Sequence, residues 1–499
     1  MINPIVNLAA SGDYEVTYLF QYWSDEEKQR AEHFFAAYQE VNLVATCNQT
    51  RFNVNERDIH LEIPLEVFNA MDLAYYQELE RLFRASQFDL VQVEHSWMAW
   101  VVPLIRTIAP NVPIILDLHN VEATLFERWV HCVSESEREE MAVRWKRMRC
   151  WEEETWQWYD ACFAVSPFEV QAFEKQTGQR IPTWELPTGG GIDLSRFLWT
   201  NSEPRRKRET VLSLGTLAWS ANVQGLFWFI DEVMPLLKKT HPCARLYIVG
   251  FGTPPSELIQ RIQDRKDVIF LGEQEDERQL LNQSQVFIVP LWIGAGARVK
   301  IPTAWAAGIP VVATTIGAEG LHYTDGENIL IADDPGGFAQ KIAILMDDEE
   351  LARRISHNGR AVVEERYSLD YAVKGYDRIY RSIVSGAGLS TTIGSVGFNF
   401  EEREKAIRHL VQLKTDIKTL IGLGRDNGSL MRIEHSLGWR MLTNYYRVVN
   451  KLLPQSTRRR GLLDLGLIGV KIIIDEGWRS FFRKLRLWLH SRVSKRGFQ

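Results

Sequence analysis

Between residues 294 and 300 the chain reads GAGARVK, four small residues and then two cations one position apart. Gly294, Ala295, Gly296 and Ala297 carry nothing larger than a methyl, so a ligand can lie close to the backbone. Arg298 and Lys300 stand at the start of the predicted helix KIPTAWAAG, with Pro302 in its first turn. Cationic side chains acting with the positive end of a helix suit a diphosphate. The chain then turns at Gly308-Ile309-Pro310 into PVVATT and opens into Ile316-Gly317-Ala318-Glu319-Gly320, a second loop facing the same crevice. Spacing alone leaves two readings open: diphosphate binding, or close packing of a helix on a sheet beside solvated cations.

A second candidate lies at His119-Asn120, which end the run PIILDLHN and so should point into a cleft at the carboxyl edge of a sheet. The alternative is a histidine that caps the next helix. The acidic WEEETW at 151–156 has helical spacing amid Trp and Arg and reads as a solvated helix face. GFGTPP at 250–255 lacks the third glycine of a dinucleotide fingerprint, and no GxxxxGK[ST] loop occurs. Five scattered cysteines form no CxxC pair and no zinc-ligand pattern, which suits a reducing compartment. No metal site is expected.

These loops need strands to carry them. YEVTYLF, DLVQVEH (89–95), PIILDLHN (113–120) and ACFAVSP (161–167) are short apolar runs separated by longer amphipathic ones, the pattern of buried parallel strands alternating with helices. LPTGGGIDLSRF and the charged NSEPRRKRET that follows mark a linker. A second alternating set follows: 210–216, 244–250, 268–272, 286–291, 310–315 and 328–332. The predicted fold class is therefore α/β, with doubly wound Rossmann-like domains over 1–200 and 208–384. After SGAGLSTTIGSVG a helical extension is expected over 385–499, with a helix near 399–420.

With 45% hydrophobic and 24% charged residues, disorder throughout is excluded. The net charge of −6 hides an asymmetry: residues 456–499 hold eleven Lys and Arg against Asp464, Asp475 and Glu476. From Trp478 the positions Trp478, Phe481, Phe482, Leu485, Trp488 and Leu489 form an apolar stripe opposite Arg479, Arg483, Lys484 and Arg486. Over 478–496 this is the pattern of a basic helix able to lie on an anionic membrane, or of one packed on the protein's own surface. No apolar run is long enough to span a bilayer, and the N-terminus lacks the form of a signal peptide. The expected location is cytoplasmic, with peripheral contact at the inner face of the plasma membrane. No nucleic acid is expected as a partner.

Over about residues 210–370 the stretches LSLGTLAWSANVQGLFWFIDEVMPLL, ARLYIVGFG, VIFLGEQEDERQLLNQSQVFIVPLWIGAGARVKIPTAWAAGIPVVATTIGAEGL and DGENILIADDP occur in order and spacing. They resemble the nucleotide-sugar-binding domain of retaining glycosyltransferases of the GT-B fold, family 4 (glycosyl transferases group 1). FDLVQVEHSWMAWVVPLI, IILDLHNVEATLFERW and SPFEV resemble that family's acceptor-side domain. The resemblance implies two Rossmann-like domains facing a cleft. It implies that Gly215, Arg298 and Lys300 sit on the donor diphosphate, with Gly294, Ala295 and Gly296 in the same loop. Thr314, Gly317 and Glu319 would line the nucleotide or ribose side, and His119 would approach the donor sugar.

Three departures accompany the resemblance. The family's pair of glutamates eight positions apart is represented here by Ala295 and Thr303, so donor orientation falls to backbone N–H groups, Thr303 or another group. LPTGGGID replaces the family's Pro-Asn-Gly-Val-Asp, with Thr188 and an added glycine. NLAASGDYEVTYLFQYW resembles the first helix and second strand, which leaves the family's opening strand and its glycine-rich turn without a counterpart. A shortened chain, a Met1 that is not the natural start, or a degraded acceptor site would each account for that.

The implied activity is transfer of a hexose-type sugar from a nucleoside-diphosphate sugar to the hydroxyl of a glycan or lipid-linked acceptor, with retention, in cell-surface polysaccharide biosynthesis. No cofactor or metal is implied. The rival reading is a weak or inactive GT-B module that binds a nucleotide sugar or scaffolds a larger assembly.

Overall fold

In the computed structural model the described residues are 2–48, 63–187, 191–197, 209–274, 276–294, 296, 299–386 and 398–425. Residues Met1–Arg51 and Glu66–Lys414 form one compact unit that carries every sheet. Phe52–Leu65 and Thr415–Gln499 make up a second unit, which lies mostly outside the described residues.

The C-terminal sheet has six parallel strands: β7 (Thr210–Leu214), β8 (Arg245–Val249), β9 (Val268–Gly272), β10 (Val286–Val289), β11 (Val311–Ala313) and β12 (Leu330–Ile331), in the order β12-β11-β10-β7-β8-β9. All six were legible as short, largely apolar runs, because a strand covered by helices on both faces is buried on both. Val211, Ile248 and Ile288 pack with Phe229, Met234 and Phe338 on one face, while Leu212, Phe287 and Val289 pack with Ile301 and Trp305 on the other. The order reverses between β7 and β10. That switch point opens a crevice at the carboxyl ends of the two strands.

The N-terminal half holds two separate parallel sheets. One pairs β1 (Val16–Tyr22) with β2 (Val41–Cys47). The other runs β3-β4-β5-β6 through Val91–Glu94, Ile114–Leu118, Ala161–Ala164 and Thr183–Glu185. The helix Ile2–Ala10 precedes β1, and no strand lies before Val16 among the described residues. β2 and β6 had not been anticipated: VNLVATC carries Asn42 and Thr46, and TWE is three residues long.

The helix Leu369–Val384 ends the segment expected to form the C-terminal domain, yet its side chains pack on the N-terminal sheet. Tyr376, Ile379, Tyr380 and Ile383 cover Ile115, Ala161 and Phe163 beside Leu8. The helix Phe400–Arg425 also attaches to the N-terminal half, where buried Lys414 donates to the carbonyls of Asn69 (2.7 Å) and Met71 (2.5 Å) at the end of the helix Leu65–Ala70. No described helix is long and apolar enough to cross a membrane. The basic segment 478–496 and Thr188 lie outside the described residues.

Candidate active site

On the C-terminal side the crevice is built from backbone. β7 runs into Gly215, and β10 runs through Pro290 and Ile293 into the small-residue loop. Lys300, first residue of the helix Lys300–Ala306, donates through Nζ to Asn222 Oδ1 at 2.8 Å. Asn222 donates in turn to the carbonyl of Thr216 at 2.8 Å. A Cβ on Gly215 would lie 2.8 Å from Asn222 Nδ2 and 3.0 Å from Lys300 Nζ. Gly215, Asn222 and Lys300 therefore close on one another where the strand order reverses. Ala295, Ala297 and Arg298 lie outside the described residues.

Gly296 has φ +73°, and its N–H donates to Glu169 Oε1 at 3.1 Å. A Cβ there would stand 2.6 Å from the carbonyl oxygen of His119. The loop and the end of β4 thus touch across the crevice, as the reading of both as cleft-facing requires. Thr314 is fully buried and caps the helix Thr315–Ala318 by accepting from Gly317 N at 3.0 Å, while its hydroxyl donates to Leu291 O. A Cβ on Gly317 would meet Val289 O at 2.3 Å. These two residues tie the loops after β10 and β11 together. The Thr303 hydroxyl bonds back to Val299 O at 2.9 Å, a contact within its own turn.

Glu319 has a partner that sequence reasoning missed. Arg128, on the helix Glu122–Cys132, donates Nη1 to Glu319 Oε2 at 2.6 Å and Nη2 to Oε1 at 2.8 Å, and Nη1 also reaches Gly294 O. One guanidinium thus spans the crevice to the ends of both donor-side loops.

The N-terminal wall is built from buried side chains instead. His119 Nε2 lies 2.7 Å from Glu94 Oε2. Gln92 Nε2 donates to Glu94 Oε1 (2.8 Å) and Asp117 Oδ2 (2.9 Å), and Tyr376 OH donates to Asp117 Oδ2 at 3.0 Å. Tyr380 OH holds Gln92 from the other side. His95 follows β3 with φ +67°, a conformation that costs a non-glycine residue of the order of 1–2 kcal/mol. Its ring stacks on Trp97 (centroids 4.4 Å) and meets His119 at a tilt of 46° (centroids 3.7 Å). Burial, and the neighbouring Glu94 charge, push the Asp117 carboxyl up to about 7. Burial pushes Glu94 up too, but the bonds from His119 and Gln92 outweigh it and hold that carboxyl below its ordinary range. Burial and the nearby His119 push His95 down to about 3.

The donor atoms of Glu94, Asp117 and His119 lie within 4.8 Å of one another, a spacing that a cation would accept. Hydrogen bonds already engage Glu94 and Asp117 through Gln92, Tyr376 and His119. Asp117 was detectable: an acid inside the otherwise apolar IILDL must find partners when the strand is buried.

WEEETW is not a solvated face. Glu152 is 2% exposed, and its carboxylate accepts from the backbone of Glu122 (2.9 Å) and Ala123 (3.1 Å). It thereby caps the helix that begins just after His119-Asn120, whose own N-cap, Val121, offers no side-chain bond. The solvated reading failed because Trp151 and Trp156 bury this face through bonds to Ser96, leaving Glu153 and Glu154 outside. Glu152 is also the cap that the alternative reading had assigned to His119. Burial pushes Glu152 up to about 7, and burial with the Glu152 charge pushes Glu122 up to about 8.

Two family models match the chain: residues 29–188 fit a glycosyl transferase 4-like domain and residues 208–348 fit the glycosyl transferases group 1 domain, more than half the chain between them. A protein of the Klebsiella pneumoniae cps region is 30% identical over 32% of this chain and 42% of its own length. The lipopolysaccharide core mannosyltransferase LpsB of Rhizobium meliloti is 27% identical over 39% of this chain and 60% of its own. The match thus spans less than two thirds of either relative. In structure, Anabaena HepE, solved with UDP and glucose, aligns with a TM-score of 0.54 at 16% identity, over 76% of this chain and 96% of HepE. A sucrose-phosphate synthase from Thermosynechococcus elongatus aligns at 0.53 and 17% identity, over 74% and 100% of the two chains. At such identity these likenesses speak to fold alone. With the N-terminal sheets and the six-stranded sheet matched by the family's two domain models and the crevice lined as described, the chain belongs to the group 1 glycosyltransferases and has the GT-B fold.

Proposed function

We propose that this protein transfers a sugar from a nucleoside-diphosphate sugar to an acceptor hydroxyl, with retention, in building a cell-surface polysaccharide. The observation that carries the reading is the meeting of Gly215, Asn222 and Lys300 at the switch point, with His119 against Gly296 on the facing wall. A diphosphate entering there exchanges the Asn222 contact of Lys300 for its own oxygens, and Arg298 adds a second charge from the same loop. Charge that develops on the leaving diphosphate is then met by fixed cations, an electrostatic role that needs no metal. Retention follows the family resemblance; in that course the departing phosphate oxygen takes the acceptor proton. HepE, solved with UDP-glucose, supports a nucleotide-sugar donor, and LpsB supports a glycan acceptor. The basic segment 478–496 would hold the protein at an anionic membrane surface, beside a lipid-linked acceptor.

The test is calorimetric titration of the full chain with UDP-, GDP-, ADP- and dTDP-sugars, following any binder for donor hydrolysis and, with acceptor, the product anomer by NMR. Micromolar binding with slow hydrolysis and a retained anomer is expected. Binding without hydrolysis or transfer would favour the second reading, a nucleotide-sugar-binding module without turnover. One observation favours it: the Thr303 hydroxyl, where the family has a glutamate, is turned back on Val299 O.

A further inference from the structure

The proposed function uses His119 and is silent on Glu94. Two contacts fix the imidazole: Nε2 on Glu94 Oε2 at 2.7 Å, and the tilted ring of His95 at a centroid distance of 3.7 Å. Nδ1 has no hydrogen-bond partner among the described residues and is not among the buried unpaired atoms, while the side chain as a whole is 12% exposed. The ring therefore has one committed edge and one edge open to the crevice. A neutral imidazole carries a single N–H, and whichever nitrogen meets a carboxylate acceptor keeps it.

We propose that Glu94 is a positioning residue: its carboxylate holds the proton of His119 on Nε2, leaving Nδ1 as a fixed acceptor for a hydroxyl of the bound sugar substrate. This rests on the donor reading above. Glu94 suits the task because Gln92 donates to its other oxygen, so the carboxylate cannot turn away. The same amide bridges to Asp117, which Tyr376 anchors from the helix Leu369–Val384. The strained backbone of His95 has a role as well, since it brings a second ring against His119 as β3 ends, centroids 3.7 Å apart and planes tilted by 46°. Glutamine at 94 would keep the shape but let its amide donate to Nε2, so the ring could take either tautomer. Loss of hydroxyl-acceptor geometry acts on turnover more than on binding, because the diphosphate supplies most of the binding through separate residues.

The decisive measurement is read on the wild-type protein, with a variant used only to assign the signal. In the 15N-histidine-labelled full chain, with His119 assigned by its loss in His119→Asn, long-range 1H–15N spectra read which nitrogen is protonated. A protonated Nε2 with a bare Nδ1 is expected; the reverse tautomer, or a ring protonated on both nitrogens, in the wild type at neutral pH overturns the proposal, whatever the activity. In Glu94→Gln a mixed tautomer signal is expected, with kcat for hydrolysis of the best-bound donor down 10- to 100-fold and KM within threefold. Glu94→Asp, which keeps a carboxylate, should retain the Nε2–H signal and recover part of kcat. A Glu94→Gln protein of native thermal midpoint with unchanged kcat overturns the proposal. So does activity abolished by EDTA and restored by Mn2+, which would make Glu94 and His119 cation ligands. If the wild type binds no donor at all, the donor reading fails, and the tautomer measurement still stands by itself.

Discussion

The two walls of the crevice solve different problems with different materials. The six-stranded side brings backbone close to a ligand, so its requirements are steric: Gly215, Gly296 and Gly317 each stand where a Cβ would lie 3.0 Å or less from another group. The four-stranded side presents side chains, so its requirements are electrostatic: Glu94, Asp117, Glu122 and Glu152 are packed among aromatic rings and helix ends and must share protons and amides. A wall made of backbone fails when something is added. A wall made of buried acids fails when a partner is removed or, at Asp117, Glu122 and Glu152, when the pH rises.

The comparison yields a graded set of expectations. The largest effect should come from Lys300→Ala, which removes a charge that no steric change replaces: kcat for donor hydrolysis should fall about a hundredfold, and an unchanged kcat would take Lys300 out of the diphosphate site. Next is Gly296→Ala. A left-handed φ and a carbonyl 2.6 Å from the new Cβ should cost about 2 kcal/mol in urea unfolding and speed hydrogen exchange at His119 and Asn120. Wild-type exchange there would show that the two walls do not depend on each other.

Glu122→Gln tests the acidic wall. Because the folded state holds the Glu122 proton up to about pH 8 while the unfolded chain releases it near 4.5, stability is fully present below that lower value and declines as pH rises to 8. Glutamine removes this decline, so its advantage over wild type in chemical denaturation should grow by about 4 kcal/mol between pH 4.5 and 8.5. Parallel pH profiles would show that Glu122 ionises as readily folded as unfolded. The smallest effect belongs to Arg128→Ala. Its pair with Glu319 is half-buried, with side-chain exposures of 22% and 23%, and a double-mutant cycle over the two positions should give a coupling of about 1 kcal/mol. A coupling of zero would take the Arg128–Glu319 pair out of what joins the walls, leaving the bonds of Gly296 to Glu169 and of Arg128 to Gly294.

Legibility differed between the walls for the same reason. Lys300 and the glycines of the β10 and β11 loops lie near one another in sequence and follow apolar strands, so position in a doubly wound pattern marked them as loop residues, while Gly215 entered through the family resemblance. Arg128 and Glu319 are 191 positions apart, and Asp117 and Tyr376 are 259 apart. Glu152 looked solvated because its neighbours Glu153 and Glu154 are, and the period of one helix does not say which acid is taken up by the N-terminus of another.

By itself the sequence determined the strands of the six-stranded sheet, the crevice loops and the family, since burial on both faces and turns of small residues leave local, periodic marks. Only the tertiary structure decided that Leu369–Val384 returns to the N-terminal sheet, that Glu94 holds His119, and that Arg128 reaches Glu319. A polar side chain away from water must find a partner, but its own neighbours in sequence do not name that partner; closure of the chain does.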